Sequence, residues 1–424
     1  MTSSARLYSV AAPRTTPGHG EAELDTPFLI PPEGALQFGI TRSEFEKNYF
    51  EKRWLLRRGA LKSIPFGWGD VDELLYRLDT VAPWMKLFHE GEVPSDHYVD
   101  VVQEHTARQR LNKAAFYDYL ARGATLVLNR LEEHSLAAKR LCAEVSRFAG
   151  YPASGNAYLS FGGSGTFGKH WDTHDVFVIQ LLGKKRWRVF EPTLPLPLSG
   201  QTYESHQSEC PREPCLDIEL SAGDILYLPR GWWHQAIPIE GGSFHLSVGT
   251  YPPTTAEYLH WACETYCSSR ADLRPSAGRT EGATLAQSIA ELGKIVADPN
   301  TLAAYRNSLL LRERTRSEFN LGFLLDSQRS ELDADVRVIL NSCYLHADNV
   351  DAILSADSLS TNGRSLKLHA LSKCLIRALA GVGVTNMHAL FAVLPTYPRK
   401  SICQALLDLA RHDVVNVWRD RVLP

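Results

Sequence analysis

The segment Lys169-His170-Trp171-Asp172-Thr173-His174-Asp175 places a histidine and a carboxylate two residues apart. On an extended backbone alternate side chains share a face, so His170 and Asp172 are expected to point the same way, with His174 in the same parity. A further histidine closes Gly223-Asp224-Ile225-Leu226-Tyr227-Leu228-Pro229-Arg230-Gly231-Trp232-Trp233-His234. There a Gly-Asp turn feeds a short strand, and Pro229 to Gly231 turns the chain again before the histidine. His170, Asp172 and His234 together make a facial set of three ligands that leaves three positions of an octahedron open, which suits non-haem Fe(II). The set contains no thiolate, so iron or manganese is more natural than structural zinc. A lone His-x-Asp is common by chance; the distal pattern is what makes it a site.

Outward from these words, the chain from Asn156 to about Pro252 reads as short strands between Gly/Pro turns. The runs are Ala157–Phe161, Val176–Leu182, Arg186–Phe190, Ile225–Leu228 and Phe244–Val248, with Gly183-Lys184 as a hairpin turn. Strands at this spacing predict an antiparallel sandwich or barrel. Helical patterns precede it at Thr41–Leu56, where Thr41 and Glu44 form a capping box, and at Leu136–Phe148. After it the reading is helical at Ala256–Cys267, Thr284–Ala297, Thr301–Arg314 and Val336–Leu345, with a linker over Arg274–Gly282. The end of the chain reads as helices at Leu366–Ala380, Met387–Val393 and Lys400–Arg411, then a strand at Val414–Trp418, a winged-helix-like order. The predicted organisation is a disordered tail over 1–30, a helical and β cover over 31–150, the β core over 151–253, a helical region over 254–345 and the winged-helix-like module over 346–424.

Composition bounds the function classes. The 424 residues are 44% hydrophobic, with nine Trp and sixteen each of Phe and Tyr, which is enough apolar material for a sizeable core. No apolar run approaches the roughly 20 residues that cross a bilayer. The 45 basic and 48 acidic residues nearly balance, so the molecule as a whole is not a polyanion-binding field. The balance is uneven: nine Lys/Arg against three Asp from Arg364 onward give that segment +6. Nucleic acid as the main partner is not expected, because no recognition-helix pattern accompanies that charge. The Ser/Thr/Pro-rich start lacks a secretory core, and eight Cys match no zinc framework, so a reducing cytoplasm is the expected location.

Several words resemble one family. Asn156-Ala157-Tyr158-Leu159, His170-Trp171-Asp172, Asp175-Val176-Phe177-Val178-Ile179-Gln180, Gly183-Lys184-Lys185-Arg186-Trp187-Arg188-Val189 and the His234 segment resemble the JmjC (cupin-4) Fe(II)- and 2-oxoglutarate-dependent oxygenases, in particular their ribosomal oxygenase branch. The resemblance implies a mainly β catalytic core, a double-stranded β-helix, with α-helical flanks and a C-terminal winged-helix-like module. It implies iron held by His170, Asp172 and His234, with 2-oxoglutarate and O2 as cosubstrates. Lys185 matches the family's clamp for the far carboxylate of 2-oxoglutarate; Lys184, Arg186 and Arg188 are its rivals by position. Asn156 and Tyr158, and more weakly Ser247, match groups that reach the same cosubstrate. His174 and His245 are expected to be pocket histidines rather than ligands, and Trp171, Trp187, Trp232 and Trp233 possible walls.

The implied reaction is hydroxylation of a side chain, at the β-carbon of Arg or His, in a protein or peptide such as a ribosomal protein. Two alternatives stand beside it: a tailoring hydroxylase for a ribosomally made peptide natural product, and a metal-binding cupin without oxidative chemistry. The family dimerises through helices that correspond to Ala256–Arg314, so a homodimer is expected.

Overall fold

In the computed structural model the described residues are 34–78, 84–103, 107–163, 165, 167–274, 276, 282–319, 321 and 332–419. The expected tail over 1–30, and most of the linker over 274–282, lie outside them. The first part of the chain runs α1 (Arg42–Asn48), β1 (Leu55–Arg57), α2 (Trp68–Arg77), β2 (Met85–Phe88), β3 (Val99–Gln103), β4 (Ala107–Leu111), α3 (Lys113–Ala121), β5 (Thr125–Leu128) and α4 (Leu136–Ala149). The central part is β6 (Ala153–Ser160), β7 (Asp175–Leu182), β8 (Lys184–Phe190), β9 (Leu216–Ser221), β10 (Ile225–Leu228), β11 (Trp233–Pro238) and β12 (Ser243–Thr250). Then come α5 (Thr255–Cys267), α6 (Gly282–Ala297) and α7 (Pro299–Arg312). The last part is β13 (Arg337–Leu340), α8 (Val350–Leu354), β14 (Ser358–Thr361), β15 (Arg364–Lys367), α9 (Ala370–Ala380), β16 (Thr385–Asn386), α10 (Met387–Val393), α11 (Arg399–Arg411) and β17 (Val415–Trp418).

Two antiparallel sheets build the centre. The larger has the order β1-β10-β7-β12-β6-β5-β2, the smaller β11-β8-β9. The period of two along each strand divides its side chains between two environments. On β7, Phe177, Ile179 and Leu181 pack outward under the helices, while Val176 and Val178 face the smaller sheet. On β12, Phe244, Leu246 and Val248 join the outer core. The intervening His245, Ser247 and Gly249 face the space between the sheets. The outer core is covered by α1 and α4, where Phe45, Phe148, Phe177 and Tyr227 meet ring to ring. At the β7–β8 turn Gly183 has φ +65°, and a Cβ there would lie 1.9 Å from the Gly242 carbonyl, so the hairpin admits only glycine.

A second core is formed by β13, β16 and β17 with α8 to α11. It is docked on α4. Buried Arg147 donates to the carbonyls of Ser342 and Leu345, both at 2.7 Å, and of Ala380 at 2.8 Å. Arg140 on the same helix pairs with Glu318. Among the described residues no helix is long and apolar enough to cross a membrane.

The expected strands from Asn156 onward, and the helices expected over Ala256–Cys267, Thr284–Ala297, Thr301–Arg314, Met387–Val393 and Lys400–Arg411, are present with small shifts in their ends. Four local expectations change. The helix expected over Thr41–Leu56 ends at Asn48, although its capping box forms as read; Leu55–Arg57 is instead an edge strand paired with β10. The helix expected over Val336–Leu345 is strand β13, because its β-branched residues pair with β17 far along the chain. The first residues of the helix expected over Leu366–Ala380 belong to hairpin β14–β15, whose Asn362-Gly363 turn has positive φ at both positions. His170 and Asp172 do not lie on a continuous strand: His170 makes one isolated bridge, to His234, and Asp172 follows in a loop.

Candidate metal and anion site

His170, Asp172 and His234 come together between the sheets, with one ligand atom from each lying within 4.8 Å of the others. The backbone, more than the side chains, brings them there. His170 N donates to His234 O at 3.1 Å, and His234 N donates to His170 O at 2.7 Å. Gly231 N donates to Asp172 O at 3.0 Å, and Arg230 N to Asp175 Oδ1 at 2.8 Å. The segment between the two turns is thereby laced to the His-x-Asp loop rung by rung. Asp175 also accepts from the Tyr227 hydroxyl at 3.2 Å, and Arg230 pairs with Glu51. The Asp of the Gly-Asp turn, Asp224, is likewise structural, taking Ser221 N and Gly59 N at 2.9 Å each.

The two imidazoles are set for a cation. His234 Nδ1 lies 3.0 Å from Trp232 O, and His170 Nδ1 lies 3.3 Å from Gly168 O. A carbonyl only accepts, so each Nδ1 carries the proton and each Nε2 keeps a lone pair for a metal. Burial, then His170, lower the His234 pKa to about 4, so this imidazole is neutral at neutral pH. Burial pushes the Asp172 carboxyl upward, but His234, His170 and His174 together outweigh it and hold the group below its ordinary value. Two imidazoles and one carboxylate are a donor set that fits a hard to intermediate divalent ion.

The cavity facing this cluster encloses about 160 Å³ and is lined from both sheets. Lys185 lies at one end and is 3% exposed. Its nearest polar neighbour is Ser160 Oγ at 3.5 Å, and no carboxylate pairs with it among the described residues. Burial alone lowers its pKa to about 7. A buried cation with no counter-charge is costly unless an anion joins it. The rivals of Lys185 are excluded by strand parity: Arg186 and Arg188 point outward and both pair with Asp217, and Lys184 is exposed.

Asn156, Tyr158 and Ser247 also line this cavity, on inward positions of β6 and β12, with Ser247 and Asn156 directly opposite in register. Asn156 Oδ1 accepts from Arg130 N at 3.0 Å. Tyr158 stacks on His245 with centroids 4.8 Å apart, and burial pushes its phenol pKa up, so it keeps its proton. His174 lines the cavity outside the three-ligand group. Of the four expected tryptophan walls only Trp187 reaches the cavity; Trp171 and Trp233 pack with Phe190, and Trp232 is core. Sequence reading passed over Phe167, Tyr251 and Gly249. Phe167 sits at the end of a Gly-rich loop and Tyr251 keeps the alternation of Ser247 and Gly249, a parity signal that was available.

Comparison with known proteins agrees with this geometry. Residues 129–258 match the JmjC domain family model. The bifunctional lysine-specific demethylase and histidyl-hydroxylase NO66 of Drosophila persimilis is 36% identical over 131 residues, which is 31% of this chain and 19% of that protein. Ribosomal oxygenase 1 of Gallus gallus is 30% identical over 184 residues, 41% of this chain and 30% of that protein. The matched region spans only about a fifth to a third of these curated relatives. Among solved structures, YcfD, a ribosomal oxygenase from Escherichia coli, aligns with TM-score 0.52 at 18% identity, over 90% of this chain and 99% of that one. The same protein in complex with cobalt and 2-oxoglutarate aligns with TM-score 0.53 at 17% identity over the same shares. At such identity the structural likeness establishes the fold alone. That fold agrees with the match of residues 129–258 to the JmjC domain family model.

Proposed function

We propose that this chain is an Fe(II)- and 2-oxoglutarate-dependent oxygenase that hydroxylates a side chain of a protein or peptide. The observation that carries this reading is Lys185: a buried amine, paired with no carboxylate among the described residues, facing a His-Asp-His cluster across one cavity. A redox-silent cupin has a use for the cluster but none for that lysine.

In this reading His170 and His234 bind iron through Nε2 and Asp172 through its carboxylate. Lys185 holds the far carboxylate of 2-oxoglutarate. Asn156, Tyr158 and Ser247 offer polar groups to the same cosubstrate from the facing sheet. The iron, when bound, supplies the chemistry that couples decarboxylation of 2-oxoglutarate to insertion of one oxygen atom into a C–H bond. The chain's own share is to orient the cosubstrate, to fix the ligand spacing through the main chain and to exclude water with Trp187, Tyr158 and His245.

The relatives named for ribosomal oxygenation and histidyl hydroxylation favour a ribosomal protein as substrate; oxidation at the β-carbon of Arg or His is our reading of the family resemblance. We place the enzyme in the cytoplasm. We read residues 346–424 as a winged-helix-like module, on the strength of helices α9 to α11, strand β17 and the exposed hairpin β14–β15. We propose that the protein is a homodimer through α5 to α7: α6 is apolar yet buries only Ser288, leaving Leu285 and Ile289 exposed.

The test is succinate formation from 2-oxoglutarate with Fe(II) and O2, with and without a digest of ribosomal proteins, with peptide masses read in parallel. Digest-stimulated turnover with one oxygen added to a peptide supports the full reading. Turnover indifferent to the digest keeps the oxygenase and moves the substrate to another peptide class, natural-product precursors included. Bound iron without turnover of 2-oxoglutarate overturns it in favour of a non-oxidative cupin.

A further inference from the structure

The sequence His170-x-Asp172-x-His174 offers the metal a third histidine, and the fold declines it. His174 lines the same cavity as Asp172 and His234, yet its ring nitrogens fall outside the three-ligand cluster. Its ring lies instead against β12. It stacks on Tyr251 with centroids 5.0 Å apart and planes 24° apart. Beneath it, the strand carries Gly249. The backbone there does not ask for glycine, since residue 249 sits in a regular ladder opposite Ser154 on one side and Val176 on the other. The missing side chain is what matters. A Cβ on residue 249 would lie 2.6 Å from His174 Cδ2, 2.8 Å from its Nε2 and 3.1 Å from the Tyr251 hydroxyl. Contacts that short require the ring to leave.

We propose that Gly249 and Tyr251 form a seat that parks His174 away from the metal, and that this seat keeps the number of protein ligands at three. The inference rests on the reading of His170, Asp172 and His234 as the metal ligands. Its chemical point is the count of open positions. A bidentate 2-oxo acid and O2 need three sites between them, and a fourth protein ligand would remove one. With strand β12 behind the ring, the open direction for a displaced His174 is the cavity, where the ligand cluster stands. Gly249 and Tyr251 are thus positioning residues; they act on the site through His174.

The test uses Co(II) as a spectroscopic probe in the full chain, with 2-oxoglutarate affinity as a second readout. In Gly249→Ala the added methyl group unseats the ring. The expected result is a changed visible Co(II) spectrum from the additional nitrogen ligand, and 2-oxoglutarate binding weakened on the order of 10-fold. Gly249→Ala combined with His174→Ala is expected to restore both, because no ring remains to displace. An unaltered spectrum and affinity in Gly249→Ala overturn the proposal. So does a loss that His174→Ala does not rescue, since the damage then lies in the strand. If Gly249→Ala fails to fold, Tyr251→Ala removes the upper half of the seat without adding bulk. It is expected to move both readouts in the same direction, again rescued by His174→Ala, and no effect there overturns the proposal. A wild-type protein that takes up neither Co(II) nor 2-oxoglutarate removes the functional reading itself, a result distinguishable from all of these.

Discussion

The main chains of His170 and His234 bond to each other in both directions, at 3.1 and 2.7 Å, across two segments far apart in sequence. Their rings stand 4.3 Å apart as a consequence. The spacing of the two nitrogen ligands is therefore a property of the backbone, and the side chains are placed on it.

It follows that deleting one imidazole should leave the frame standing. His170→Ala is expected to weaken Co(II) or Fe(II) binding by at least about 100-fold while the metal-free protein unfolds at the wild-type temperature. Metal titration and thermal unfolding, run side by side, check this. A variant that loses metal only because it has unfolded would place the bridge's strength in the ring rather than the main chain.

Lys185 should trade stability for binding. Replacing it by Met removes a buried amine that no carboxylate pairs with among the described residues, so the ligand-free protein is expected to melt higher. The same change removes a charged hydrogen-bond donor to the cosubstrate, which is worth about 2 kcal/mol, or roughly 30-fold in 2-oxoglutarate affinity. Calorimetric titration of the Mn(II)-loaded protein reads the affinity. An unchanged affinity would move the anion elsewhere.

The pKa of Lys185, lowered by burial to about 7, also predicts a proton linkage. Above that pH the folded, empty protein holds a neutral amine while the unfolded chain keeps the proton, so stability from this group rises with pH between about 7 and the ordinary lysine value. An anion restores the charge. Above pH 7, 2-oxoglutarate binding is expected to take up close to one proton and to weaken as pH rises. Titrations in buffers of different ionisation enthalpy measure the uptake; binding with no proton exchange at pH 8 would contradict it.

Arg147 is the fastening between α4 and the second core. Arg147→Leu strands three carbonyls, those of Ser342, Leu345 and Ala380, in a buried place. A loss of about 3 kcal/mol or more is expected from denaturant unfolding. Early proteolytic release of the part beyond Arg337 would locate the loss at the junction.

The exposed face of α6 makes the oligomer testable. Ile289→Glu places a charge on that face, where the side chain is 59% exposed. The expected outcome is a fall in solution mass from dimer to monomer with the protein still folded. A dimer that survives the change lies on another surface.

The central strands were legible in the sequence because their signal is local. Val176–Leu182 is apolar at every position but Gln180 because β7 is buried on both faces, and Gly183-Lys184 turns because only glycine takes the φ required there. Which of Lys184, Lys185, Arg186 and Arg188 faces the cavity stayed open in the sequence, because alternation pairs Lys184 with Arg186 and Arg188 but does not say which face is inner. The members of the His-Asp-His cluster were legible as residue types at a spacing. Other features depend on partners distant in the chain. Leu55–Arg57 is a strand because β10 presents an unpaired edge to it, and Arg337–Leu340 is one because β17 does; each segment alone reads equally well as helix. His170 and Asp172 were expected to converge by strand alternation. They converge instead because main-chain hydrogen bonds lace their loop to the segment before His234, and hydrogen bonds between distant segments leave no periodic mark. By itself the sequence determined which candidate donors the chain carries and at what spacing. Only the tertiary structure decided that Lys185 has no counter-charge among the described residues and that His174 rests on Gly249, because burial and contact are properties of what the rest of the chain brings near.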